Sequence, residues 1–418
     1  MNQTFGIRDR KSWKERSITI SPRGIFAFLS AVVVILNSGY YRTIASDSYV
    51  PLILLIVMAA VSLLVFRTKT GLLDSKLILI LVIAVGIGFS ILFNFSSANL
   101  LSGGRVLVMA LCCYILLVRI GKDLFFKHFS RLMRIIIWLS IALWLYMNVF
   151  GSLPGRTYGE YADLFVVTAK AVGGRSMGVF WEPGVFASVV IMTMLVEFYY
   201  TEGKTSAYRL ILYTVGVLLS GSTAGILILL ILLVAYLWRR WNFERYRLAN
   251  FAFVALIALG LSFYETLFQW LYEVNPDVFG KLMETTSETT ATRLNAPMAN
   301  LQIFLQSPVF GHGFTDAATL FTSFMGIEGE WNIVAQTSTG TQMLAAIGIC
   351  GVAYTLAFFV PLFLGKKSGL GFVSRIAIAA IMLLITNKEP HLHIALTWLL
   401  MFLCVSKKEP SINKEEFD

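Results

Sequence analysis

Twelve apolar runs, each near the length of a membrane span, constrain this chain more than any other feature of its sequence. A bilayer core of about 30 Å takes about 20 apolar residues in one helix, with about 17–25 tolerated. On that ruler the runs fall at 24–41, 49–66, 76–95, 104–119, 132–150, 183–200, 206–221, 222–238, 248–270, 340–364, 370–387 and 390–406. The stretch 206–238 is too long for one helix, and Ser220, Gly221, Ser222 and Thr223 are read as a tight turn dividing it. Residues are 57% hydrophobic and 14% charged, against roughly 45–50% and about 25% in soluble chains. That excludes a soluble enzyme, a disordered protein and a secreted disulfide scaffold. Cys112, Cys113, Cys350 and Cys404 sit inside apolar runs without metal-ligand spacing or an evident bridge, and are read as small buried hydrophobes.

The net charge of +10 matters less than its distribution. Cytoplasmic connections of membrane proteins are enriched in Lys and Arg. Here all but eight of the 34 such residues fall on the two tails and alternate connections. The eight on the other face are Arg42, Arg105, Arg156, Lys170, Arg175, Lys281, Arg293 and Lys388. The alternation never breaks, which predicts both termini in the cytoplasm. The expected organisation is a basic tail at 1–23, one polytopic domain at 24–406 and a second tail at 407–418. The first apolar run has no small-residue cleavage site and is followed by further spans, so it is read as a span and not a leader. The sequence carries no internal repeat, P-loop or zinc motif. The expected fold is all-α and integral to the membrane, with about 12 transmembrane helices. Short interfacial helices are expected in two long outer loops, 151–182 and 271–339.

Long loops in a protein of helices and tight turns are where function concentrates. The first ends Gly173-Gly174-Arg175-Ser176-Met177-Gly178-Val179-Phe180-Trp181-Glu182-Pro183-Gly184. Pro183 suits the first position of a helix, which places Glu182 beside free backbone N–H groups. A helix over 175–182 would put Arg175 and Glu182 on one face. The same residues also fit a plain helix cap with an Arg–Glu ion pair. The second loop holds Arg293, then a helix with Leu294, Met298, Leu301 and Leu305 on one face, expected to lie at the interface. Ser307-Pro308-Val309-Phe310-Gly311-His312-Gly313-Phe314 breaks it. His312 there reads as a turn residue or as a catalyst. The short connection Asn387-Lys388-Glu389-Pro390-His391-Leu392-His393 packs four ionisable side chains at a helix mouth, a functional pattern by default. Arg suits bidentate phosphate binding. Arg105, Arg156, Arg175, Arg293 and Lys388, with Glu182, Glu389, His312 and His391 among them, suggest a lipid-linked phosphate or diphosphate as ligand.

At these residues the chain resembles the O-antigen polymerase and ligase superfamily, membrane enzymes that handle undecaprenyl-diphosphate-linked glycans. The resemblance rests on Arg-x-x-Gly-x-Phe-x-Glu-Pro from Arg175 to Pro183. It rests also on the Arg293 helix with Ser307-Pro308-x-Phe310-Gly311-x-Gly313-Phe314, and on Gly348-x-x-Gly351. With the span layout it covers most of the chain. It implies a fold like that of the GT-C type B membrane glycosyltransferases. The implied activity is a metal-independent membrane glycosyltransferase in the bacterial cytoplasmic membrane, with no cofactor. Its implied partners are undecaprenyl-diphosphate-linked oligosaccharides and membrane lipids, not nucleic acid, and it allows a chain-length regulator protein. Family ligases carry a His-Asn pair entering the span after the large loop. Here Gln336-Thr337-Ser338-Thr339-Gly340-Thr341-Gln342 has no His, so a repeat-unit polymerase is the better match. In that reading Arg175 and Arg293 clamp the diphosphate, supported by Arg105 or Lys388. Glu182 is the general base, with His312 and Glu389 behind it, and Arg156, Lys388, Glu389 and His391 line the substrate site. A glycan ligase is one alternative. A lipid-linked oligosaccharide flippase is another, though it should place polar residues deep along several spans.

Overall fold

A computed structural model of the protein describes residues 21–40, 48–66, 74–150, 157–158, 161–164, 166–170, 174–200, 206–240, 288–326 and 337–406. Five helices run Pro22–Leu36 (α1), Val50–Val65 (α2), Ser75–Phe93 (α3), Ser97–Ile120 (α4) and Lys122–Phe150 (α5). Four short strands follow, Thr157–Tyr158 (β1), Tyr161–Leu164 (β2), Val167–Lys170 (β3) and Ser176–Gly178 (β4). Then come Pro183–Leu195 (α6), extended by a π-helical turn Val196–Tyr200, Ala207–Leu219 (α7) and Thr223–Arg240 (α8). After residues 241–287 the chain resumes with Glu288–Gln306 (α9), Phe314–Met325 (α10) and Thr339–Ile347 (α11). Val352–Ala357 (α12), Val360–Leu364 (α13), Phe372–Lys388 (α14) and Ala395–Val405 (α15) complete it.

Helix starts follow from local chemistry. Ser21 and Ser96 accept from backbone N–H groups of Gly24 and Asn99 at 3.0 and 3.1 Å, satisfying donors that the first turn leaves orphaned. Pro occupies the first turn of α1, α2 and α6. The turn Ser220-Gly221-Ser222 separates α7 from α8, with Gly221 at φ +55°.

Among the described residues, five helices are long and apolar enough to cross a membrane, and shorter apolar helices accompany them; the chain is a multi-pass membrane protein. Its helices sort into a centre and a sheath. Every residue of α6 and of α15 is buried, whereas α2, α3, α5, α7 and α8 turn exposed apolar side chains outward, such as Leu64, Leu92, Trp138, Ile211 and Leu230. With lipid as the solvent, such exposure costs nothing. The expected span at 248–270, the residue Arg156, residues 1–20 of the first tail and the second tail lie outside the described residues.

The helix ends gather in two sets. At one end Ala395 N–H donates to Asn37 O and Trp181 N–H to Gly39 O, both at 3.0 Å. The starts of α6 and α15 thus meet the close of α1. At the other end the Ser75 hydroxyl donates to Val405 O at 2.7 Å. There Arg23 donates to Arg119 O at 3.1 Å, and Arg119 to Phe66 O at 2.8 Å. Arg134 pairs with Glu197 at 2.8 Å on the π-helical turn, joined by the Tyr213 hydroxyl at 2.7 Å.

Two expectations need correction. The described part of 151–182 forms an antiparallel sheet in the order β1-β2-β3-β4, in place of an interfacial helix. A strand at Ser176–Gly178 paired to β3, and Glu182 in extended backbone, mean that Arg175 and Glu182 share no helix face. The run 340–364 is likewise not one helix. It breaks at Gly348–Gly351, a 3-10 turn, because hydrogen bonds are exchanged with the loop between α9 and α10. Ile349 N–H donates to Pro308 O at 2.8 Å, while Ala345 O and Ala346 O accept from His312 and Gly313 N–H at 3.0 and 2.9 Å. Ala346 O also accepts from the Ser90 hydroxyl at 2.8 Å. In the second loop α9 is present as a longer helix. Its Met298 and Leu305 are exposed, and its Ala296, Ala299 and Ile303 are buried.

Gly311 and Gly348 make this stitch possible. Both have positive φ, and a Cβ on either would strike backbone atoms of the opposite segment. Gly311→Ala and Gly348→Ala should each cost about 1–3 kcal/mol or more. Gly104→Ala, where a Cβ meets nothing, should be neutral or gain up to about 1 kcal/mol. Thermal unfolding in detergent checks this; equal midpoints for all three variants would contradict it.

Candidate functional site

The start of α6 organises the candidate site. Pro183 fixes the first turn, and Glu182, at φ −144° and ψ 142°, is its N-cap residue. A carboxylate at that place is favoured by the positive end of the helix dipole. Arg175 approaches from β4, its Nε donating to Ser220 O at 3.2 Å in the α7–α8 turn. Gly221 gives it room, since a Cβ there would lie 3.1 Å from the Arg175 side chain.

The second contribution comes from the end of α14. Lys388, its last residue, is 7% exposed. Its Nζ donates to Gly184 O at 3.1 Å, and its charge sits at a helix C-terminus, where a cation is favoured. Glu389 is also buried, and its carboxyl group lies against Gly184 where any Cβ would collide with it. A side chain larger than hydrogen at 184 is therefore incompatible with this packing.

The third contribution is the start of α11. The Thr339 hydroxyl accepts from His391 N–H at 2.8 Å and points to Glu389 O at 3.4 Å. The Ser338 hydroxyl donates to Asn387 Oδ1 at 2.5 Å, the Thr341 hydroxyl to Ser338 Oγ at 2.7 Å, and Asn300 Nδ2 to Thr341 Oγ1 at 3.2 Å. This chain of bonds ties α9, α11 and α14 together. Arg293 stands on α9 seven residues before Asn300.

His391 and His393 lie in the connection between α14 and α15, outside both helices. Burial, with Lys388 nearby, pushes the His391 imidazole down to about 3. Burial, with Arg105 nearby, does the same to His393, also to about 3. Both rings are thus neutral at pH 7 and act as hydrogen-bonding groups, not as cations.

The structure gathers Glu182, Lys388, Glu389 and His391 around the starts of α6 and α11. Arg175 reaches the neighbouring α7–α8 turn at the same end of the bundle. Arg105 is exposed on α4, its guanidinium 5.8 Å from the Tyr49 ring. His312 is placed otherwise: its backbone is bound to α11, and its Nε2 lies 3.2 Å from Ile303 O on α9. Those bonds give it the turn-building place that its Gly-flanked motif allowed. Sequence reasoning missed Gly184, Ser338, Thr339 and Thr397, which have no chemistry that stands out in a membrane chain. It also missed the Arg134–Glu197–Tyr213 group. Its one signal was a Glu deep in an apolar run.

Fold and site together define a multi-pass membrane protein with a charged, hydrogen-bonded cluster at one end of its helices. Residues 209–356 match the family model Wzy_C, described as O-Antigen ligase. The match spans 148 of the 418 residues, and over that segment the chain is similar to the family. The match contains Arg293, His312 and the break at Gly348. It begins after Arg175 and Glu182 and stops before Lys388, Glu389 and His391. No curated protein matches the chain.

If Lys388 anchors the start of α6, Lys388→Met removes a charge-assisted bond to the Gly184 carbonyl, which keeps the Ser188 hydroxyl at 3.0 Å, and should cost about 1–3 kcal/mol. Gly184→Ala, which displaces Glu389, should lower the thermal midpoint as well. Unchanged unfolding of both variants in detergent would contradict this packing.

Proposed function

We propose that the protein polymerises undecaprenyl-diphosphate-linked oligosaccharide repeat units on the outer face of the bacterial cytoplasmic membrane. It does so with about 12 spans and both termini in the cytoplasm. The observation that carries this reading is the hydrogen-bonded junction of α6, α9, α11 and α14. It gathers cationic and carboxylate side chains at the end of the bundle away from Arg23, Lys76 and Arg119. The positive-inside tendency makes the Arg-rich end cytoplasmic and the junction external.

In the reaction a hydroxyl at the non-reducing end of one repeat unit attacks the anomeric carbon of the growing chain. The new glycosidic C–O bond forms as the bond from that carbon to the diphosphate breaks. Undecaprenyl diphosphate leaves with the electron pair, and the hydroxyl proton passes to a base and then to water. The leaving group is good, so the protein's work is to position two lipid-borne substrates and to stabilise charge on the diphosphate. Arg175 and Arg293 fill the second role, with Arg105 at the lipid-facing edge. Glu182, at the N-terminus of α6, receives the proton. Lys388 and Glu389 hold the α6 start in place, and His312 supports α9 against α11. The description of the matched family model favours a second reading, transfer of a finished glycan to an acceptor lipid by the same bond exchange. Against it stands the absence of His from residues 336–342.

Arg175→Ala and Arg293→Ala should each cut chain extension by about 10²–10³-fold. Lys at either position should restore part of the activity, because charge survives without the bidentate fork. Glu182→Gln should be comparably impaired. Polymer length in cells lacking the native gene, compared at equal membrane abundance, is the readout. Wild-type length distributions from Arg293→Ala and Glu182→Gln would overturn these assignments.

A further inference from the structure

Two ring nitrogens in the α14–α15 connection have no hydrogen-bond partner among the described residues, His393 Nδ1 and His391 Nε2, and His391 is the ring that the structure holds in place. His391 is fully buried, and Nδ1 of its ring lies 2.9 Å from Thr397 Oγ1. The Thr397 hydroxyl donates to Met192 Sδ at 3.7 Å. In that arrangement its oxygen accepts from Nδ1–H, the tautomer on which the proposal rests. Nε2 keeps a lone pair and has no partner among the described residues. The ring is not loosely held. Ile394 N–H donates to His391 O at 3.2 Å, Trp398 Nε1 donates to Leu392 O at 3.0 Å, and the Thr339 hydroxyl fixes the His391 backbone.

A buried acceptor without a donor is costly, and one held in place by bonds on its other atoms is a site waiting for a donor. Such a lone pair accepts from O–H or N–H. It repels phosphate and carboxylate oxygens, which are acceptors themselves. A lipid diphosphate brings only acceptors, whereas a sugar ring brings several O–H groups. We propose that His391 Nε2 accepts a hydrogen bond from a hydroxyl of the acceptor sugar, which makes the buried imidazole a determinant of acceptor fit. This deepens the glycan-transfer reading and rests on it for the identity of the ligand. Division of labour follows: arginines take the diphosphate, and a neutral histidine takes the glycan.

The test uses full-length protein in nanodiscs and two measurements. The first is binding of the free, non-lipidated repeat-unit oligosaccharide and a panel of its monodeoxy variants. His391→Phe should weaken binding of the intact sugar roughly tenfold or more, and His391→Gln, which retains an acceptor, should recover much of it. For wild type, one deoxy position should weaken binding by a similar factor, and His391→Phe should be indifferent to that position. Binding of undecaprenyl diphosphate should be unchanged in both variants. Should the variants fail to fold, the deoxy panel on wild type still decides. Loss of binding at no deoxy position overturns the proposal, as does equal weakening of the diphosphate lipid by folded His391→Phe. The second measurement is glycan transfer by wild type. Its absence would sink the enzymatic reading, while the binding pattern would still support His391 as a sugar-hydroxyl site.

Discussion

A helix end buried away from water must have its backbone groups satisfied by something other than solvent, and the rest of this structure depends on how α6 and α15 meet that demand. Both are buried along their full length, and both begin at the same end of the bundle. Gly39 O takes the Trp181 N–H just before α6, and Asn37 O takes the Ala395 N–H at the start of α15. The Ser38 hydroxyl takes the Leu396 N–H at 3.3 Å. The polar residues needed to close two helix ends are thereby concentrated in one place, and the candidate chemistry sits among them. A charged cluster that would be expensive elsewhere in a membrane protein is stabilised here by the helix termini it serves.

The broken helix at Gly348 applies the same rule a second time. Freed carbonyls of Ala345 and Ala346 are not left bare; the Gly311-His312-Gly313 loop and Ser90 supply donors. Asn99 extends this joint by accepting from Thr315 N–H at 2.9 Å and donating to Asp316 at 2.8 Å. Two of the motif segments that mark the family resemblance, Ser307–Phe314 and Gly348–Gly351, are thus halves of one backbone joint. Their glycines answer to close backbone approach and not to contact with a ligand.

Much of this was legible in the sequence, and the exceptions have physical reasons. The apolar runs marked the helices because both lipid and protein interior demand apolar side chains. For the same reason hydropathy could not tell central α6 from peripheral α2, whose Leu64 is 84% exposed. The sheet at 157–178 was missed because its strands are too short for period-two alternation to register against a glycine-rich loop. The break at Gly348 was missed because its partner bonds come from residues about forty positions away. Within the site, Lys388, Glu389 and His391 announced themselves as ionisable groups at a helix mouth. Thr339 and Thr397, which orient His391, are ordinary residues whose role exists only in three dimensions.

The proposed reaction joins lipid-diphosphate-linked glycans at this cluster without energy from a nucleotide. Purified protein would be incubated with an undecaprenyl-diphosphate-linked repeat unit, in EDTA and without nucleotide, and the products resolved by size. A ladder of lipid-linked oligomers rising by one repeat unit is the result expected. Folded protein and native repeat unit that yield no ladder, whether nothing forms or the glycan passes only to an added acceptor lipid, would contradict the polymerase account.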